Sequence, residues 1–158
     1  MALYLHYDGI DGEATHQDHV KWIDIQSLQF GIGRGISTPV GASANREASQ
    51  PSVSEIVVTK AMDTASSKLF TESATGNAGK TVKIDLVSTG SPGDTYTTYT
   101  LTNTLISGYS ISSGGDRPTE SISLNFTKIE YKLTPYNAKN EAGTPVTVSY
   151  DLSTGKTG

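Results

Sequence analysis

Between Thr119 and Leu133 apolar and polar residues alternate, and the alternation changes phase once. Ile122, Leu124 and Phe126 fall on one face, with Ser121, Ser123, Asn125 and Thr127 on the other. That period of two is the signature of a half-buried strand. From Lys128 onward the faces are exchanged: Ile129, Tyr131 and Leu133 are apolar, while Lys128, Glu130 and Lys132 carry charge. A strand that keeps its period but swaps its faces requires a β-bulge or a sharp bend, here near Thr127. The run is preceded by Gly114, Gly115 and Pro118. Glycine permits positive φ, and proline fixes φ and removes a donor, so the three mark a turn.

The same grammar recurs along the chain. Strands are predicted over 3–7, 22–30, 54–59, 81–87, 96–106, 109–112, 120–133 and 146–152, with glycine-rich turns near Gly9 and Gly12, 90–93, 114–115 and 140–143. Many short strands with such turns imply a mainly β chain, an antiparallel barrel of two packed sheets. One short flanking helix is predicted over 64–75. Asp63 is placed as its N-cap, because a carboxylate can accept free N–H groups of the first turn. Ala65 and Leu69 share a face, Phe70 lies beside it, and Gly76 follows the last turn. The length suits one domain over 1–152. Residues 153–158 are expected to be a flexible tail. The segment 31–52 has neither a helical nor a strand period. It is a floppy surface loop, or an extended loop that orders against another subunit, since long irregular segments in compact domains are disordered or functional.

Only 35% of the residues are hydrophobic and 18% charged; Ser, Thr and Gly make up the difference, as strands and turns require. The formal net charge is −4. With no clustered basic patch, no nucleic-acid partner is expected. The absence of cysteine excludes a disulfide framework and thiolate metal sites. No run approaches the ~20 apolar residues of a membrane span, so no membrane insertion is expected. The N-terminal residues lack a basic and then apolar leader, so no cleaved signal peptide is expected.

Candidate chemistry is sparse. Gly76-Asn-Ala-Gly-Lys-Thr81 resembles part of a phosphate loop, but position 74 is Ala, and the predicted order is helix before and strand after, the reverse of what phosphate binding needs. The run Gly31-x-Gly-x-Gly35 lacks a following helix and reads as loop. His16 and His19 could join Asp18 or Glu13 at a metal, but zinc needs three or four converging ligands. They read as solvated or hydrogen-bonded histidines. No nucleophile elbow and no His-Glu-x-x-His occurs, so neither enzyme, metal nor cofactor is expected. Asn125-Phe-Thr127 is a formal sequon within a strand and reads as chance. In 96–106, Tyr99, Leu101 and Leu105 are assigned to one face and Thr98, Thr100, Thr102 and Thr104 to the other. In 22–30, Ile23 and Ile25 alternate with Asp24 and Gln26; after a slip, Leu28 and Phe30 alternate with Ser27 and Gln29. Such neutral faces suit either an ordinary solvated sheet or a sheet lining a water-filled bore.

Three stretches carry a family resemblance. Pro118-Thr-Glu-Ser121 with Leu124-Asn-Phe-Thr-Lys-Ile129 is the most recognisable. Ile10-Asp-Gly-Glu13, His19 and Trp22-Ile-Asp-Ile25 precede it, as does Val58-Thr-Lys-Ala-Met-Asp-Thr-Ala-Ser-Ser-Lys-Leu69. In this order they resemble the hemolysin-coregulated protein (Hcp) family, the tube protein of type VI secretion systems, over roughly 2–136. The resemblance implies a homo-hexameric ring that stacks head-to-tail into a tube. A contracting sheath expels the tube, beneath a spike protein, with small effector proteins in its lumen. It implies assembly in the bacterial cytoplasm followed by secretion. It favours the ordered reading of the long loop, with Arg34, Ile36, Thr38, Val40 and Arg46 at the subunit interface, and places Ser27 and Gln29 toward the lumen. The reading from another class is a secreted monomeric β-sandwich that binds carbohydrate or a cell surface through Trp22, Tyr96, Tyr99 and Tyr109.

Overall fold

The computed structural model describes residues 1–41, 46–90, 93–139 and 141–158. Positions 42–45 of the long loop, and 91, 92 and 140 of the predicted turns, lie outside the described residues. In chain order the elements are β1 (Ala2–Tyr7), β2 (Ile23–Ile25), β3 (Ser27–Gln29), β4 (Ile32–Gly33), β5 (Ile36–Ser37), β6 (Glu47–Ala48), β7 (Ser52–Val53), β8 (Ile56–Ala61), α1 (Ser66–Thr75), β9 (Lys80–Val87), β10 (Thr95–Ser112), β11 (Thr119–Asn125), β12 (Lys128–Leu133), β13 (Val146–Asp151) and β14 (Lys156–Thr157).

All pairings are antiparallel. Sheet A runs β2–β1–β9–β10–β12–β13–β14, and sheet B runs β10–β11–β8–β3. β10 belongs to both. Its first part, through Thr104, pairs with β9 and β12, and Leu105–Ser112 pairs with β11. The packed faces enclose Leu5, Tyr7, Ile23, Val58, Ile84, Leu101 and Leu124, all within 3% of full burial. Each such side chain contributes about 1.5–3 kcal/mol on leaving water.

The phase changes in the sequence are places where the chain passes between the sheets. Phe126 and Thr127 separate β11 in sheet B from β12 in sheet A, so the predicted bend is a change of sheet. Gln26 divides the predicted strand 22–30 in the same way, with β2 on sheet A and β3 on sheet B. Beyond a register shift between Thr95 and Thr97, the predicted strands 96–106 and 109–112 are one strand with two irregularities. At the first, Asn103 takes φ 55 and the register slips between Leu101 and Thr104. Thr104 and Ile106 therefore turn inward while Leu105 is only half-buried, which corrects the face assigned to Leu105 and Thr104. The second lies between Ile106 and Gly108.

Three further expectations are amended. α1 starts at Ser66, and its N-cap position, Ala65, makes no side-chain cap. Asp63 accepts the Ala65 N–H (2.9 Å) one turn earlier, because its carboxylate is also held by Lys60. The segment 31–52 is not without strands: β4 pairs with β7 and β5 with β6, forming a narrow ribbon whose strands, among the described residues, pair only with each other. Apart from Pro51 and Val53, the latter packed against the core, its described residues are exposed on both faces, so no alternation is selected in its sequence. The chain end, expected to be a free tail, is held: Tyr150 and Asp151 pair with β14, and Ser149 and Gly158 exchange two backbone bonds.

Candidate assembly surfaces

Sheet B positions Ser27 and Gln29. Ser27 lies across from Thr59, Ser121 and Ser110, and Gln29 across from Val57, Ser123 and Gly108. A third row is Ala61, Thr119 and Ser112. Gly108 aside, these side chains all stand on the face away from the core, and none is charged. The Ser27 and Thr59 hydroxyls hydrogen-bond at 2.5 Å. The opposite sheet contrasts with this one. On the outer face of sheet A, Asp24, Asp85 and Lys132 share one row, Lys83 and Glu130 the next, and Lys128 and Asp151 a third. One wall of the molecule is ionic and the other is hydroxyl-rich and neutral.

Sheet B also ends in two open edges. Among the described residues no strand pairs with the second side of Leu105–Ser112, nor with the second side of β3. The distal part of β10 carries no charge and no proline, the usual guards of an exposed edge.

The ribbon leaves sheet B directly after β3 and carries Arg34, Ile36, Thr38, Val40 and Arg46, all exposed. Ile36 keeps 49% of its surface in water and Val40 all of it. Beside the root of the ribbon, Phe30, Ile32, Tyr99, Tyr131, Val148 and Tyr150 line an apolar groove of about 350 Å³. It exists because β12, β13 and β14 extend sheet A past the cover of sheet B. Burial raises the Tyr99 phenol pKa, and Tyr131 and Tyr96 raise it further.

Two polar clusters fix this frame. Lys60 and Glu120 are wholly buried, with Nζ 2.6 Å from Oε1. Nζ also reaches Asp63 (2.8 Å), the Ala61 carbonyl (2.9 Å) and Ser66 Oγ (3.2 Å). The cluster ties β8, β11 and the start of α1 together. Tyr7 Oη and Glu120 Oε2 are buried with no hydrogen-bond partner among the described residues, and burial followed by the Glu72 charge pushes the Tyr7 pKa up to about 12. His19, also buried, donates from Nε2 to Asp85 Oδ2 at 2.7 Å, and Asp85 accepts from Thr98 at 2.8 Å. The His19 and His16 Nδ1 atoms are 3.1 Å apart, and Tyr4 stacks on His19. Among the described residues no three His, Cys, Asp or Glu side chains converge as metal ligands. Gly12, in the first resembling stretch, is required sterically: a Cβ there would strike the Trp22 carbonyl and the Ile23 backbone.

The remaining sequence candidates are dispersed. Lys80 and Thr81 of the phosphate-loop-like run lie in β9, with α1 before them. Tyr96 contacts the Met1 sulfur, Tyr109 meets Phe70, Trp22 meets His19, and Tyr99 lines the groove, so no two of the four form a shared sugar-stacking platform. The open edges and the groove escaped sequence reasoning. The edge was detectable in part, as the uncharged run Leu105-Ile-Ser-Gly-Tyr-Ser-Ile-Ser112; the groove depends on how far sheet A overhangs sheet B.

Residues 4–133 match the family model for the type VI secretion system effector Hcp. Among solved structures, a type six secretion system protein is 27% identical, with 99% of each chain covered and a TM-score of 0.91. Hcp1 from Salmonella typhimurium is 23% identical over 99% of this chain and 97% of that one, TM-score 0.79. A type VI secretion system effector from Yersinia pestis is 21% identical over 94% and 98%, TM-score 0.75. The last two likenesses are of fold. No curated protein sequence matches the chain.

Proposed function

The chain belongs to the Hcp family of type VI secretion proteins, and from that membership we propose that six copies form a ring whose bore is walled by sheet B, and that rings stack head-to-tail into a tube. The observation that carries this reading is sheet B itself: four strands, two open edges and an uncharged outer face. Three antiparallel pairings separate β3 from the distal part of β10, so these two strands run in opposite directions. Setting the β10 edge of one copy beside β3 of the next therefore continues the antiparallel alternation without interruption. Such a contact is heterologous, and it closes when its rotation divides a full turn. Joining the edges removes the aggregation hazard of a long uncharged edge. Ser27 and Gln29 then face the lumen, where small effector proteins are held or stabilised. The ribbon, with Arg34, Ile36, Thr38, Val40 and Arg46, reaches a neighbouring copy. Spike and sheath are the remaining partners. The tube assembles in the bacterial cytoplasm and leaves with its cargo. Its work is mechanical and binding-based, and no bond is made or broken by this chain.

Light scattering on the purified protein, with imaging of the same peak, tests the ring. A mass near six chains with annular particles is the expected result, and a single chain across the concentration range overturns it. The lack of native cysteine allows a sharper test. Ser27→Cys combined with Ser110→Cys, or Gln29→Cys with Gly108→Cys, the pairs that stand level across the sheet, should give, on oxidation, a ladder of linked chains on a denaturing gel. Rings that form but never cross-link in either pairing would exclude the edge contact.

A further inference from the structure

We propose that the apolar groove beside Phe30 receives the α1 patch of the adjoining copy, with Phe70 as the inserted side chain. The inference rests on the ring reading and names the second half of its interface. Phe70 is 59% exposed, meets Tyr109 edge-on at 6.0 Å between ring centres, and has Ile111, 51% exposed, on the same strand face as Tyr109. Tyr109 and Ile111 belong to the distal part of β10, one open edge of sheet B, whereas Phe30 directly follows β3, the other open edge. Within one copy the two patches are separated by the width of the four-stranded sheet, about 14 Å, and cannot meet.

Both patches stand on the core side of sheet B. Phe30 shares the parity of Leu28, and Tyr109 the parity of Ile122 and Val58 across the sheet. An edge-to-edge join therefore brings them together behind the bore wall. Their heights agree as well. Tyr109 is level with Leu28 through Ile122 and Val58, two residues from Phe30. The chemistry matches: an aromatic and aliphatic patch against a groove whose Ile32 and Val148 are 57% and 53% exposed.

The area supports a contact of this size. The chain exposes 9524 Å². A compact monomer of 16.7 kDa would expose about 7,600 Å². The excess, about 1,900 Å², is close to what a subunit gives up to two neighbours at about 800 Å² each.

Phe70→Asp tests the docking, because an exposed residue can be changed without disturbing the core. The expected result is an unchanged far-ultraviolet spectrum and melting temperature for the single chain, with at least a tenfold increase in the concentration needed to form rings. Phe70→Cys with Val148→Cys should cross-link between copies on oxidation. Rings that persist undiminished in Phe70→Asp, or that form without cross-linking in the cysteine pair, overturn the docking and leave the ring reading intact. A wild-type protein that forms no ring overturns both.

Discussion

Lys60 and Glu120 are sixty residues apart in sequence, yet they form an ion pair that no solvent reaches. Breaking such a pair leaves one charge buried without compensation. Glu120→Leu or Lys60→Met alone should lower stability by about 3–5 kcal/mol, and the double variant by much less, measured by denaturant unfolding. Asp24 behaves in the opposite sense. Burial, then Asp63 and Glu13, raise its carboxyl pKa. The folded chain therefore holds that proton more tightly than the unfolded one, and stability falls as pH rises from the unfolded value through the raised one. Asp24→Asn should raise the melting temperature at pH 7 and leave it unchanged below the unfolded carboxyl pKa. Thermal scans over pH would show this, and a flat difference would refute it. Little of this residue-level chemistry was legible in the sequence. Glu120 sits in phase with Ile122 and Leu124, which places it on the core face, but nothing local reveals that Lys60 meets it there. His19 was read as either solvated or hydrogen-bonded, and its partner Asp85, 66 positions away, was not visible.

At the scale of elements, the phase of alternation was the informative signal. Where apolar residues exchanged faces, at Thr127 and before Ser27, the chain passes from one sheet to the other. The signal failed in β10 because threonine is at home on either face of a sheet, so the slip at Asn103 left no mark. That slip has a local requirement. Asn103 adopts positive φ, which asparagine tolerates and β-branched residues resist. Asn103→Gly should be neutral within about 0.5 kcal/mol, whereas Asn103→Val should cost about 1–2 kcal/mol; chemical denaturation separates the two. The ribbon was visible only as an absence of pattern, since exposure on both faces selects none. Among the described residues its strands pair with each other alone. Replacing residues 34–48 with a short turn should leave the β spectrum and melting temperature of the single chain nearly unchanged while weakening assembly, as read by light scattering.

The whole molecule is a two-sided wall. Of the two outer sheet faces, that of sheet A carries the charges, and hydroxyls cover that of sheet B. We expect the chain to unfold as one cooperative unit, since both sheets share β10 and one core. In the assembled state the midpoint should rise with protein concentration, because neighbours bind only the folded form; calorimetry at several concentrations would test this, and an invariant midpoint would count against assembly. β10 has a further consequence. Its 18 residues run through both sheets and span about 60 Å when extended. A tube thrust forward from its base must transmit force through every wall unit. A strand bonded on both sides to one sheet, and then built into the other, takes that force in shear across many hydrogen bonds at once, whereas a strand confined to one sheet could be peeled away a bond at a time. In a tube of the proposed arrangement the two walls would then move together under thrust, and the lining could not slip against its casing.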